Sequence, residues 1–159
     1  MLRKPLLATA ILAIAAATAA AVALAAPASR AQQQAMSKNF AKAADANCAA
    51  LGTLTAPLGN PTKLPGIAHK LSIAVPAFTM ALRAQAELVT FDAPAGKASL
   101  ASKWMKSMTS YLRKMGTIRA AAAAGKAGAV TKANNRLTAI GGQAAALSKQ
   151  LGLHVCFQS

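Results

Sequence analysis

Apolar positions recur at intervals of three and four residues in four separate stretches of the chain, the spacing of a helix with one buried face. The first stretch, about 33 to 55, aligns Met36, Phe40, Ala44, Asn47, Leu51 and Leu54. The second, about 65 to 90, aligns Ile67, Leu71, Ala74, Phe78, Leu82 and Val89. Pro65 suits its first turn, whereas Pro76 lies inside it and removes one backbone hydrogen bond, so a kink is expected there. The third, about 97 to 124, aligns Leu100, Trp104, Met108, Tyr111, Met115 and Ile118. The fourth, about 129 to 153, aligns Val130, Leu137, Ile140, Ala144, Leu147 and Leu151, with Gly141-Gly142 weakening its middle by about 1 kcal/mol per glycine relative to alanine.

Breakers separate these stretches: Pro57, Gly59, Asn60 and Pro61; then Asp92, Pro94 and Gly96; then Gly125 and Gly128. The Ala-rich run from Arg119 to Lys132 is low in complexity and reads as a frayed helix end. Four helices joined by short links predict an all-α fold, an up-down-up-down four-helix bundle. Many seam positions are Ala, which lets helices approach closely.

Before the first stretch lies a run of another kind. Arg3 and Lys4 precede an uncharged run from Leu6 to Ala26, and Ala23-Leu24-Ala25 forms a small-x-small cleavage pattern. This is the layout of a secretory signal, with Ser29-Arg30-Ala31 as a second cleavage candidate. Residues 1–31 are therefore expected to be a leader and 32–159 the helical domain. An uncleaved membrane anchor is the competing reading, because about 20 apolar residues suffice to span a bilayer. No second such run follows, so no transmembrane segment is expected in the mature chain. There is no twin arginine, and Asp45-Ala46-Asn47 before Cys48 is not the context of a lipid-modified cysteine. The expected location is secreted or periplasmic.

Composition narrows the class. The 159 residues are 55 % hydrophobic, 13 % charged and 4 % aromatic, which excludes a disordered chain and disfavours a β-sandwich or barrel. Cys48 and Cys156 are the only cysteines. In an oxidising compartment such a pair forms a disulfide, here one that closes a loop of about 100 residues and contributes about 4 to 5 kcal/mol in the chain-entropy model. It would fasten the first helix to the chain end. That sits awkwardly with an ideal antiparallel pair, in which the end of helix four meets the start of helix one. Either the first helix begins late, near Phe40, or the two helices are staggered.

The inventory of reactive groups is sparse. Asp45, Glu87 and Asp92 are the only carboxylates of the mature chain, on two helices and a loop, and Asp92 before Ala93-Pro94 suits a turn or cap. His69 and His154 are the only histidines, and no Gly-x-Ser-x-Gly elbow presents a serine. His69 fits a helix-end surface position and His154 a solvated tail. Met105, Met108 and Met115 share a helix, where thioethers are core filler before they are copper ligands. No Cys-x-x-Cys-His and no P-loop is present. No catalytic residue, metal or cofactor is expected.

Charge is the most informative functional feature. Lys and Arg number 18 against 3 Asp and Glu, a formal charge of +15. Cleavage after Ala25 removes Arg3 and Lys4 and leaves 16 against 3, or +13. The third helix is the densest, with Lys103, Lys106, Arg113, Lys114 and Arg119 beside or opposite its apolar stripe. These five are the candidate binding residues for an anionic cell-envelope component, a membrane surface or a wall polymer. Nucleic acid is a further anionic partner, but no sequence-reading motif occurs. The bland alternative is charge that only keeps an Ala-rich protein soluble. A second function class is a carrier of a small apolar ligand, in a bundle opened by Pro76 and Gly141-Gly142; Ala-lined seams argue against a large cavity there.

The ending Ala146-Leu147-Ser148-Lys149-Gln150-Leu151-Gly152-Leu153-His154-Val155-Cys156, with Ala46-Asn47-Cys48 upstream, resembles that of small secreted all-helical bacterial proteins with an Ala-rich signal, a cysteine in the first helix and a Leu-Gly-Leu-x-x-Cys tail. The resemblance implies a fold and a disulfide, and no activity.

Overall fold

In the computed structural model, residues 30–94 and 96–156 are described, with side chains from Lys38 onward, Phe91 and Asp92 excepted. The expected leader lies outside them but for Arg30 and Ala31, and Met36 lies outside the described side chains. The described residues hold four long helices and no strand: α1 (Arg30–Thr55), α2 (Leu64–Asp92), α3 (Ala98–Ala123) and α4 (Ala127–Leu151), with a 3-10 turn at Ala56–Leu58. Residues from Gln33 onward pack as one compact unit. No described helix is long and apolar enough to cross a membrane.

The turn chemistry sets the boundaries. Pro65 sits in the first turn of α2, and the helix runs unbroken through Pro76. Between α3 and α4 there is no frayed end. Gly125, at φ 70°, reverses the chain, with its N–H on Ala122 O and the Lys126 N–H on Ala121 O. The same pair of bonds closes α4, where Gly152 takes φ 82° and the N–H groups of Gly152 and Leu153 reach Lys149 O and Ser148 O. Both are Schellman motifs, which satisfy last-turn carbonyls and favour glycine at the left-handed position. The fourth helix thus stops at Leu151, two residues before the periodicity predicts.

The closest helix pairs are α2 with α3 and α3 with α4, so α3 is the central element. The helix α1 joins through side chains, with Phe40 and Ala44 fully buried. Trp104, Phe40 and Leu151 are the largest fully buried apolar side chains and belong to one cluster fed by all four helices. A smaller cluster of Ile118, Ala122, Val130 and Ala133 lies by the α3–α4 turn. The predicted stripes hold at most positions. Leu54 departs from them at 62 % exposed, because the periodicity persists where no neighbouring helix covers it. Two polar side chains, Gln85 and Ser148, occupy buried stripe positions. Ser148 is satisfied locally, its hydroxyl donating to Ala144 O at 2.9 Å.

The Lys97 ammonium, just before α3, donates to Gln150 O near the end of α4 at 2.9 Å. The Gln85 amide, late in α2, donates to Ala44 O in α1 at 2.9 Å. An up-down-up-down order requires pairings of this kind. The helices α1 and α4 are also staggered: Leu151 and Gly152 line a shallow pocket with Lys38, Ala41, Lys42 and Asp45, which lie well inside α1. From there the tail needs only Leu153 to Cys156 to reach Cys48.

Candidate functional site

Three features carry chemistry: a clamp on the tail, a basic helix face and a cleft. The clamp is built on one turn of α1. Cys48 and Cys156 form a disulfide with Cα atoms 5.2 Å apart, closing a separation of 108 residues. One turn earlier, Asp45 accepts four contacts from three backbone N–H groups of the tail. His154 N lies 3.0 Å from Oδ1 and 2.8 Å from Oδ2, Val155 N 2.8 Å from Oδ1, and Cys156 N 3.4 Å from Oδ1. A carboxylate accepting backbone amides makes a charge-assisted bond, stronger than a neutral one. Asp45, Cys48 and Ala44 share the face that takes the tail and Gln85. The Gln85 amide nitrogen also lies 3.7 Å from Cys48 Sγ.

The buried Gln85 Oε1 and Trp104 Nε1 have no hydrogen-bond partner among the described residues. Each such group costs about 1 to 3 kcal/mol.

The sequence-derived basic residues fall on two sides of α3. At about 100° per residue, Lys103, Lys106, Arg113 and Lys114 share an arc of about 100° facing away from the Trp104 stripe. Arg119 falls on the flank of that stripe, roughly opposite them. Lys103, Lys106, Arg113 and Arg119 are exposed and Lys114 is half-buried. Neither α3 nor α4 contains a carboxylate. Asp45, the acid nearest the tail, already serves the clamp. His69 and His154 have exposed side chains, although the backbone of His154 is held by Asp45. No group of three or more His, Cys, Asp or Glu able to hold a metal occurs among the described residues.

The cleft was not legible as expected. It has a volume of about 750 Å³ and opens between the first half of α2, the second half of α3, the first half of α4 and the end of α1. Neither Pro76 nor Gly141-Gly142 lines it, and its walls are large side chains rather than Ala seams: Leu71, Phe78, Met108, Met115, Ile118 and Leu137. On its α4 side the lining includes the exposed Thr131 and Asn134 beside Val130 and Leu137. Phe78 and Tyr111 stack with ring centroids 5.5 Å apart at one end. Burial raises the Tyr111 phenol above its ordinary value of 10.0. Gly141 sits behind the Tyr111 ring, where an added Cβ would lie 3.4 Å from Cε2. At the other end the Lys70 ammonium donates to Gly59 O and, at 3.1 Å, to Asn60 Oδ1.

The fold and these features define a disulfide-closed, all-helical protein with a basic outer face. Comparison with family models, with curated proteins and with solved structures finds no match to this chain.

Proposed function

We propose that this is an exported, non-enzymatic binding protein that engages an anionic envelope component through the outer face of α3. The observation that carries this reading is the exposure of Lys103, Lys106 and Arg113 on the side of α3 away from the core, with the half-buried Lys114 at their edge, on a helix with no carboxylate. Exposed cations with no acid on their own helix leave a positive field that attracts phosphate and carboxylate polymers and lipid head groups. A disulfide joining Cys48 to Cys156 supports an oxidising compartment outside the cytoplasm. The sparse reactive groups support a binding role over catalysis. The test is co-sedimentation of the oxidised protein with vesicles of anionic or zwitterionic phospholipid, and with isolated envelope, across a salt series. Binding that needs the anion, fades with salt and falls in a Lys103→Gln, Lys106→Gln, Arg113→Gln triple variant supports the reading. Binding indifferent to salt and to the triple variant sinks it. The 750 Å³ cleft favours a second reading, carriage of a small apolar ligand, since its size is within the range of small-molecule sites.

A further inference from the structure

The cleft extends along the helices that line it. Along α2 its lining runs from Ile67 to Phe78 and along α3 from Met108 to Ile118, about 15 Å or slightly more of each helix at 1.5 Å per residue. Most of its lining side chains are apolar, among them the thioethers of Met108 and Met115, which adapt to irregular and flexible guests. Among the lining residues Lys70 alone carries a charge. Its ammonium has three donors. Two are spent on the neutral oxygens of Gly59 and Asn60, which hold the side chain beside the loop and leave it without a carboxylate partner among the described residues. From Lys70 to Phe78 is eight residues of helix, about 12 Å.

Resting on the carrier reading, we propose that the cleft takes one single-chain anionic amphiphile. The head group meets the third donor of Lys70 at the loop end. The acyl chain lies between α2, α3 and α4 and points toward the stacked Phe78 and Tyr111 rings. A compact ligand would leave the slot half empty, and a cationic head group would be repelled by Lys70.

The test uses the oxidised protein and three probes with the same twelve-carbon chain, kept below micelle formation: dodecanoate, dodecanol and dodecyltrimethylammonium. Calorimetric titration should give one dodecanoate per chain, about tenfold tighter than dodecanol, as one charge-assisted hydrogen bond allows, with the cation weakest. Lys70→Gln should erase the difference between dodecanoate and dodecanol while dodecanol affinity stays. Thr131→Trp, at an exposed lining position, should weaken both. The α3 triple variant should change neither. Equal affinity for dodecanoate and dodecanol overturns the head-group assignment and leaves the carrier reading standing. No binding of either overturns both. A preference lost in the α3 triple variant but kept in Lys70→Gln places the anion on the outer face and overturns the proposal.

Discussion

The backbone N–H of His154 reaches both carboxylate oxygens of Asp45, at 2.8 and 3.0 Å, across a separation of 109 residues. The same carboxylate takes the amides of Val155 and Cys156. Asp45→Asn keeps the shape, removes the charge and turns an N–H₂ group toward amide donors. The expected loss of stability is about 1 to 3 kcal/mol. A urea titration of the oxidised protein checks it, read through the fluorescence of Trp104, the one tryptophan of the chain.

Opening the disulfide should cost more. A Cys48→Ser, Cys156→Ser variant frees a loop of 108 residues, and the chain-entropy model puts the loss at about 4 to 5 kcal/mol. Adding Asp45→Asn to that variant should cost less than the two effects summed, because both fasten the same segment. Unfolding midpoints of the three variants form a double-mutant cycle that measures the shortfall.

Tyr111 gives an alkaline signature. Its phenol is raised above 10.0 by burial, so the folded state favours the neutral form. Its stabilising contribution is complete below pH about 10 and is lost as pH rises through the folded-state value. Since Tyr111 is the one tyrosine, phenolate absorbance reads it alone. The folded protein should titrate at higher pH than the urea-unfolded chain. Coincident curves would show that the cleft wall is wet.

Two glycines should respond oppositely to alanine. Gly142 is helical with open space where a Cβ would go, so Gly142→Ala should stabilise by about 0.5 to 1 kcal/mol. Gly125 sits at φ 70°, so Gly125→Ala should destabilise by about 1 to 2 kcal/mol although nothing crowds it. Thermal melts of the two variants, shifted in opposite directions, check the pair.

The helices were legible because breakers and periodicity agree: Pro57 to Pro61 and Pro94 to Gly96 bracket stripes that the packing then buries. The Cys48–Cys156 pairing was legible because two cysteines leave one choice. Gln85 shows a limit of a different kind. It lies three residues after Leu82 and four before Val89, in line with the stripe, yet its polarity hides a buried position from a hydrophobic count. The clamp left no trace in the sequence, because the partners of Asp45 are backbone amides, which every residue but proline carries. The cleft was hidden for a related reason: a gap depends on which side chains from four helices fail to meet, and its lining is drawn from residues as far apart in the chain as Cys48, Phe78, Met115 and Leu137.

The bond between Cys48 and Cys156 turns everything between them into a covalent ring, with α1 before Cys48 as a stem. Three links lie on that ring: residues 56–63, 93–97 and 124–126. A protease that cuts any one of them converts the ring to a linear chain without releasing a fragment. Both pieces stay joined through the sulfurs, and the helices remain at the high mutual concentration that a tether provides. Such a nicked molecule runs as one species without reductant and as two with it. In a compartment where proteases outlast chaperones, this protein can be damaged once and stay whole.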